Sequence, residues 1–172
     1  DNILKIISDL KSDGLKGGCS YFDAQMLDNR IVIENILSAE KAGAYVRNHT
    51  EVTGLINEDG QIKGVSYVDS LTGEKGVCRG KVVVNATGAW SSAIGNMEPD
   101  AFHSIPKPSK GVHLVLPTIL PDIALLLRAP QDGRVFFILP WGEYSIVGTT
   151  DTFYGGNPDK VLVNEEDRTY LL

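Results

Sequence analysis

Apolar positions along this chain change spacing several times, so both strands and helices leave a signature in it. The clearest strand signal is a meander. Residues 51–57 form a β-rich run, Glu58-Asp59-Gly60 makes a turn, residues 61–69 continue with Ile62, Val65 and Val68, and Leu71-Thr72-Gly73 leads into residues 74–79. Further strands are predicted over 110–115, 125–128 and in a hairpin over 134–150, with shorter ones at 19–26 and 44–46. Helical spacing places Ile31, Ile33, Leu37 and Ala39 on one helix, with Asp28 as N-cap and Gly43 at its end. Residues 1–16 read as a helix end and a loop, a short helix begins at Trp90, and another begins at Glu165. Prolines 99, 106 and 108 mark a loop, as do residues 117–121.

Residues 81–90 have a different character. Val82, Val83 and Val84 are consecutive, which predicts a strand buried on both faces, as in a parallel sheet covered by helices. That run ends in Ala86-Thr87-Gly88, small residues that permit close approach of a ligand or backbone.

Composition narrows the function classes. The chain has 172 residues, 42% hydrophobic and 22% charged, which suits one sizeable core or one domain and part of another. A net charge of -6 excludes nucleic-acid binding through a basic face. No apolar run approaches the roughly 20 residues of a membrane-spanning helix. Cys19 and Cys78 are far apart and form no metal pattern, so reduced thiols in an intracellular, cytoplasmic protein are the expectation. The chain begins without Met and its last residues read as a helix cut short, which together suggest an internal fragment of a longer protein.

Candidate chemistry gathers in two places. The segment Lys110-Gly111-Val112-His113 sets one histidine among apolar strand residues. The hairpin's second run ends in Gly148-Thr149-Thr150-Asp151, which delivers two hydroxyls and a carboxylate to one end of a sheet. Trp90 and Trp141 suit packing better than stacking, and Asp151 suits a turn better than chemistry.

Four segments together carry a resemblance: Tyr21-Phe22-Asp23 with Asp28-Asn29-Arg30, Val84 through Trp90, Pro108 through His113, and Asp132-Gly133-Arg134 through Thr152. In this order and spacing they resemble the middle of the FAD-dependent glycerol-3-phosphate dehydrogenases, within the glycine-oxidase-like flavoproteins. The resemblance implies oxidation of sn-glycerol 3-phosphate to dihydroxyacetone phosphate, with hydride passing to FAD and electrons to quinone. It implies an α/β fold of α+β character: a mixed, largely antiparallel sheet of a substrate or cap domain, with strands returned to an FAD-binding domain. The expected division is 1–50 (substrate-domain strand and connecting helix), 51–98 (FAD-binding meander and returning strand) and 99–172 (substrate domain).

The resemblance also assigns roles. His113 matches the family's active-site histidine, suited to take a hydroxyl proton. Arg134 and Lys110 are candidate cations for the phosphate, set against a structural Arg134 paired with Asp132 or Asp151 and a solvated Lys110. Thr149 and Thr150 are candidates for hydrogen bonds to substrate or flavin. Ala86, Thr87 and Gly88 resemble the second flavin-contacting turn, and Val52 lies where an adenine-side strand touches the cofactor through its backbone. No metal is implied.

One departure stands out. The chain contains no Gly-x-Gly-x-x-Gly turn to receive a pyrophosphate, a turn the family carries nearer its amino terminus. Half a cofactor site and part of a substrate site are therefore expected here. Rival readings are a glycerol-3-phosphate oxidase using oxygen, an amine or amino-acid oxidase of the same superfamily, and a non-catalytic binding module. The family's quinone users are peripheral to the inner membrane face, although no amphipathic basic helix stands out in this sequence.

Overall fold

The computed structural model describes residues 3–8, 10–101 and 107–172. Parts of the predicted first helix (1, 2 and 9) and of the proline-rich loop (102–106) lie outside the described residues. Contacts divide the chain into two units, 1–48 and 49–172.

In the first unit, α1 (Ile3–Ile6) is a single turn and α2 (Asp28–Lys41) is the main element. Leu27 holds the N-cap position in extended conformation. Asp28 is thereby moved from the expected cap into the first turn, where its carboxylate meets the positive end of the helix. Gly43, at φ 95°, closes the helix by donating its amide to the Glu40 carbonyl at 2.9 Å. The strands predicted at 19–26 and 44–46 do not form. Both segments are exposed coil with no ladder partner among the described residues, and a strand needs one.

The second unit opens with the meander as predicted: β1 (Thr50–Glu58), β2 (Gln61–Asp69) and β3 (Lys75–Arg79), in that order and antiparallel. Asp59 and Gly60 form the β1–β2 turn at φ 52° and 78°, the left-handed pair that suits the twist of a tight hairpin. Thr53 is the extra residue where the register shifts between Val52 and Gly54.

The expected strand over 82–88 is corrected. Residues 82–87 run as coil, with Val82 and Val84 largely exposed, and pair with no strand among the described residues. Three valines favour extended backbone, yet only a neighbouring ladder turns it into a sheet. A 3₁₀ turn (Gly88–Trp90) and α3 (Ser91–Gly95) follow, so the short helix near Trp90 does form.

The remaining strands make a two-stranded ladder, β4 (Ser109–Lys110) with β9 (Thr152–Phe153), and a four-stranded antiparallel sheet. That sheet has the order β5 (His113–Pro117), β8 (Tyr144–Gly148), β7 (Val135–Trp141), β6 (Leu125–Arg128). Every ladder described is antiparallel, which bears out the expected sheet type. Helix α4 (Glu165–Leu171) closes the chain behind a capping box. The Asn164 side chain accepts from the Asp167 amide, and the Asp167 carboxylate accepts from the Asn164 amide, both at 2.9 Å.

Register gives the four-stranded sheet two unlike faces. Leu114, Ser145, Val147 and Ile138 share the inner one, where Ser145 and Val147 are buried. The Ser145 hydroxyl is satisfied there by the Ile119 amide at 2.9 Å. The outer face carries His113 with Val115, Phe137, Leu126, Trp141 and Tyr144, all exposed. An apolar sheet face open on this scale marks a binding surface more often than a solvated one.

Candidate functional site

The two ladders that flank β8 put His113, Gly148 and Phe137 in one row across the sheet. β5 starts, β8 ends and β7 starts at this edge, so His113, residues 148–151 and Arg134 converge on one end of the sheet. The imidazole is exposed and lies over Gly148, at the end of the open apolar face.

Thr150 holds the backbone beneath the histidine. Its buried hydroxyl accepts from the Val112 amide at 2.9 Å, and its own amide donates to the Val112 carbonyl at 3.3 Å. With its hydroxyl turned inward, Thr150 fixes residue 112 and through it the start of β5. Thr149 donates its hydroxyl to the Thr150 carbonyl at 2.9 Å. Gly111 is a glycine for the same reason of crowding: a Cβ there would fall 2.7 Å from Thr149 Oγ1.

Arg134 stands where the chain enters β7, and every part of its reach is engaged except one edge. Nε donates to Asp132 Oδ2 at 2.6 Å, and Nη1 donates to the Asp151 carbonyl at 2.7 Å. Its flat face covers the Tyr170 ring, 4.6 Å from the centroid. The Arg134 amide and the guanidinium beside it hold the Asp132 carboxyl below the usual carboxylate range, and hydrogen bonding to Asp132 raises Arg134 further. Asp132 and Asp151 are thus both partners of Arg134, the first by side chain and the second by backbone.

Lys110 is neither solvated nor turned to the sheet end. Its ammonium donates to Asp167 Oδ2 at 2.5 Å with both side chains buried, and it approaches the Leu162 carbonyl at 3.4 Å. This hydrogen bond holds the Asp167 carboxyl below its ordinary range, against a burial effect of opposite sign. The fold therefore uses the charge of Lys110 internally, to fasten α4 to β4. Two members of this arrangement, Asp167 and Tyr170, are not singled out by the sequence reading. Their three-residue spacing, which puts them on one helix face, is the signal that could have found them.

Of the four candidate cofactor residues, two share a cleft and the other two flank Thr87 in its turn. Val52 and Thr87 line one cleft with Leu55, Ile62, Val65, Val83, Val84, Asn85 and Ile94. Asn85 shapes the turn, accepting from the Thr87 hydroxyl at 2.7 Å and its amide at 3.3 Å while donating to the Ser91 carbonyl at 3.0 Å. Gly88 has φ 54°, and nothing stands within 4 Å of where its Cβ would be. The cleft is apolar, and beside Thr87 the exposed Ala86 and the open glycine turn leave room for close approach of a flavin nucleotide. Trp90, expected to pack, is half exposed and acts as a connector, its Nε1 donating to Asp159 Oδ1 at 3.0 Å.

Comparison with known proteins identifies the family. The family described as FAD dependent oxidoreductase matches residues 2–172. The chain is 39% identical to an alpha-glycerophosphate oxidase of Streptococcus pyogenes serotype M3, over 100% of this chain and 29% of that protein. It is 36% identical to an aerobic glycerol-3-phosphate dehydrogenase of Staphylococcus haemolyticus, over 95% of this chain and 30% of that protein. Among solved structures it matches the glycerol-3-phosphate dehydrogenase from Bacillus halodurans complexed with FAD. The TM-score is 0.85 at 32% identity, covering 99% of this chain and 35% of that one. The chain thus spans about a third of the length of its relatives.

Proposed function

This chain belongs to the FAD dependent oxidoreductase family, and from that premise we propose that it serves a flavoenzyme oxidising sn-glycerol 3-phosphate to dihydroxyacetone phosphate. The observation that carries the reading is the convergence at one sheet end of an exposed histidine with an arginine whose free edge suits an anion. Relatives named for glycerol-3-phosphate dehydrogenase and alpha-glycerophosphate oxidase support the same substrate.

His113 takes the proton of the secondary hydroxyl on an imidazole nitrogen. Arg134 holds the phosphate by charge-assisted hydrogen bonds, which sets the carbinol carbon relative to His113. Thr150 keeps the imidazole in register through its bond to the Val112 amide. Thr87 and Val52 line the cleft that would hold the cofactor, with Ala86 and Gly88 on either side of Thr87. Bound there, FAD would supply the acceptor for the hydride of that carbon.

Quinone is the proposed electron acceptor, and the inner face of the cytoplasmic membrane the proposed place of action. Exposed, unpaired Cys19 and Cys78 support a reducing compartment. The oxidase name borne by one relative favours oxygen as the second reading.

The test is anaerobic addition of sn-glycerol 3-phosphate to the flavin-loaded full-length protein while flavin absorbance is followed. Bleaching is expected. A flavin that stays oxidised would end this reading in favour of an amine or amino-acid substrate. Reoxidation of the bleached protein by a quinone analogue faster than by air assigns quinone, and the reverse order assigns oxygen.

A further inference from the structure

Arg134 closes a cycle of three side chains with Asp132 and Tyr170. Asp132 Oδ2 accepts from its Nε, the Tyr170 hydroxyl donates to Asp132 Oδ1 at 3.1 Å, and the Tyr170 ring lies under the guanidinium. A fourth contact, from Nη1 to the Asp151 carbonyl, fixes the far end. Nη2 makes no hydrogen bond among the described residues, and the side chain remains 40% exposed.

Stability alone does not account for so much fixing of one half-exposed arginine. A surface ion pair contributes little, and freezing an arginine opposes it with lost rotamer entropy. What the cycle produces is a guanidinium held in one orientation with one edge unengaged, the state that an oxyanion ligand needs and that a mobile arginine reaches only at an entropic cost. The cycle also closes between two separate elements. Asp132 sits in the β6–β7 loop, whose turn at Gly133 (φ 74°) is tied to the Ala129 carbonyl, while Tyr170 comes from α4. Helix α4 is in turn set by the buried Lys110–Asp167 pair three residues before Tyr170.

We propose that Asp132 and Tyr170 are positioning residues that hold Arg134 ready for the phosphate group of the substrate, and so set affinity for phosphorylated over unphosphorylated polyols. The assignment deepens the function proposed above and rests on it for the identity of the substrate.

The experiment compares Asp132→Asn, Tyr170→Leu and Tyr170→Phe with the parent sequence in the flavin-loaded full-length protein. Two readouts are used: KM and kcat for sn-glycerol 3-phosphate and for glycerol, and calorimetric binding of inorganic phosphate. Asp132→Asn and Tyr170→Leu are expected to raise KM for the phosphorylated substrate about 10- to 100-fold, with kcat within about threefold. Values for glycerol should not move, and phosphate should bind more weakly by the same factor. Tyr170→Phe, which keeps the ring and loses only the hydroxyl, should fall between the extremes and fold normally. Unchanged KM and unchanged phosphate binding in all three would overturn the assignment, as would an equal loss with glycerol. If the parent protein does not oxidise glycerol 3-phosphate, the substrate reading fails, and phosphate calorimetry still decides the clamp. A parent that binds no phosphate overturns it.

Discussion

The imidazole of His113 lies across the α-carbon of Gly148, its register partner on β8. A Cβ placed on Gly148 would fall 2.5 Å from His113 Cδ2 and 2.9 Å from the Val112 carbonyl oxygen. The histidine can rest on the sheet at this point only because that strand offers no side chain there. A glycine within a β-run, which by propensity weakens a strand, thereby sets the height and tilt of the side chain proposed to move the proton.

Gly148→Ala tests that relationship. The methyl group must push the ring aside or shift the 112–113 backbone, and overpacking of this kind costs about 1–3 kcal/mol of stability. Displacing the base by about an ångström is expected to lower turnover roughly 100-fold. Steady-state kinetics and a flavin spectrum of the same sample check it: activity should fall while flavin content stays. Full activity in the alanine variant would show that the ring tolerates another position.

His113→Gln removes proton acceptance while keeping a polar side chain of similar reach. Turnover is expected to drop about 10²- to 10⁴-fold, with flavin bound as before, because the imidazole and the cofactor cleft are built from different strands. If turnover and flavin content fell together, His113 would be a structural residue of the fold.

The buried pair of Lys110 and Asp167 is expected to dominate the local stability of α4. Lys110→Met leaves a buried carboxylate without its cation and should cost about 3–5 kcal/mol in urea unfolding. Adding Asp167→Leu should recover most of that loss, short of about 1 kcal/mol for the lost capping box. A single variant within about 1 kcal/mol of the parent would mean that the pair is not buried in solution.

How much of this was legible in the sequence depends on whether a signal is local. The meander, the 134–150 hairpin and the antiparallel sheet are written in neighbouring residues, and they formed as read. Val82, Val83 and Val84 carry strong β preference, but a ladder needs a partner strand, and none of the described residues supplies one. The fate of Lys110 was hidden for another reason. Its partner Asp167 is 57 positions away, and a pairing at that range leaves no mark on local pattern. The same holds for Tyr170, 38 positions from Asp132. The motif singled out Arg134, while the side chains that hold it became visible only in three dimensions.

Flavin retention should separate the two halves of the cofactor site. The 172-residue chain holds the cleft at Val52 and Thr87 but no Gly-x-Gly-x-x-Gly turn for the pyrophosphate. Expressed alone, it is expected to lose FAD on gel filtration, whereas the full-length protein keeps it. One equivalent of yellow cofactor co-eluting with the isolated chain would show that the cleft by itself suffices.

Acid sensitivity provides an independent view of Asp167, with a sign that the Lys110 variant should reverse. In the parent protein the ammonium holds this carboxyl below its ordinary value of 3.8. The unfolded chain therefore binds the proton first. The pair's contribution is complete above that ordinary value and is lost as pH falls through the lower, folded one. In Lys110→Met the lysine's hydrogen bond is gone, and burial, which favours the neutral acid in the folded state, outweighs the remaining bond from the Asn164 amide. Acidification then stabilises the variant at this site where it destabilises the parent. Groups common to both proteins cancel in the difference. The stability gap between the two, measured by urea unfolding at several values from pH 7 to pH 3.5, should narrow steadily toward the acid end. A gap that stays constant across that range would mean that Asp167 titrates alike in both proteins, and that the lysine does not hold its charge.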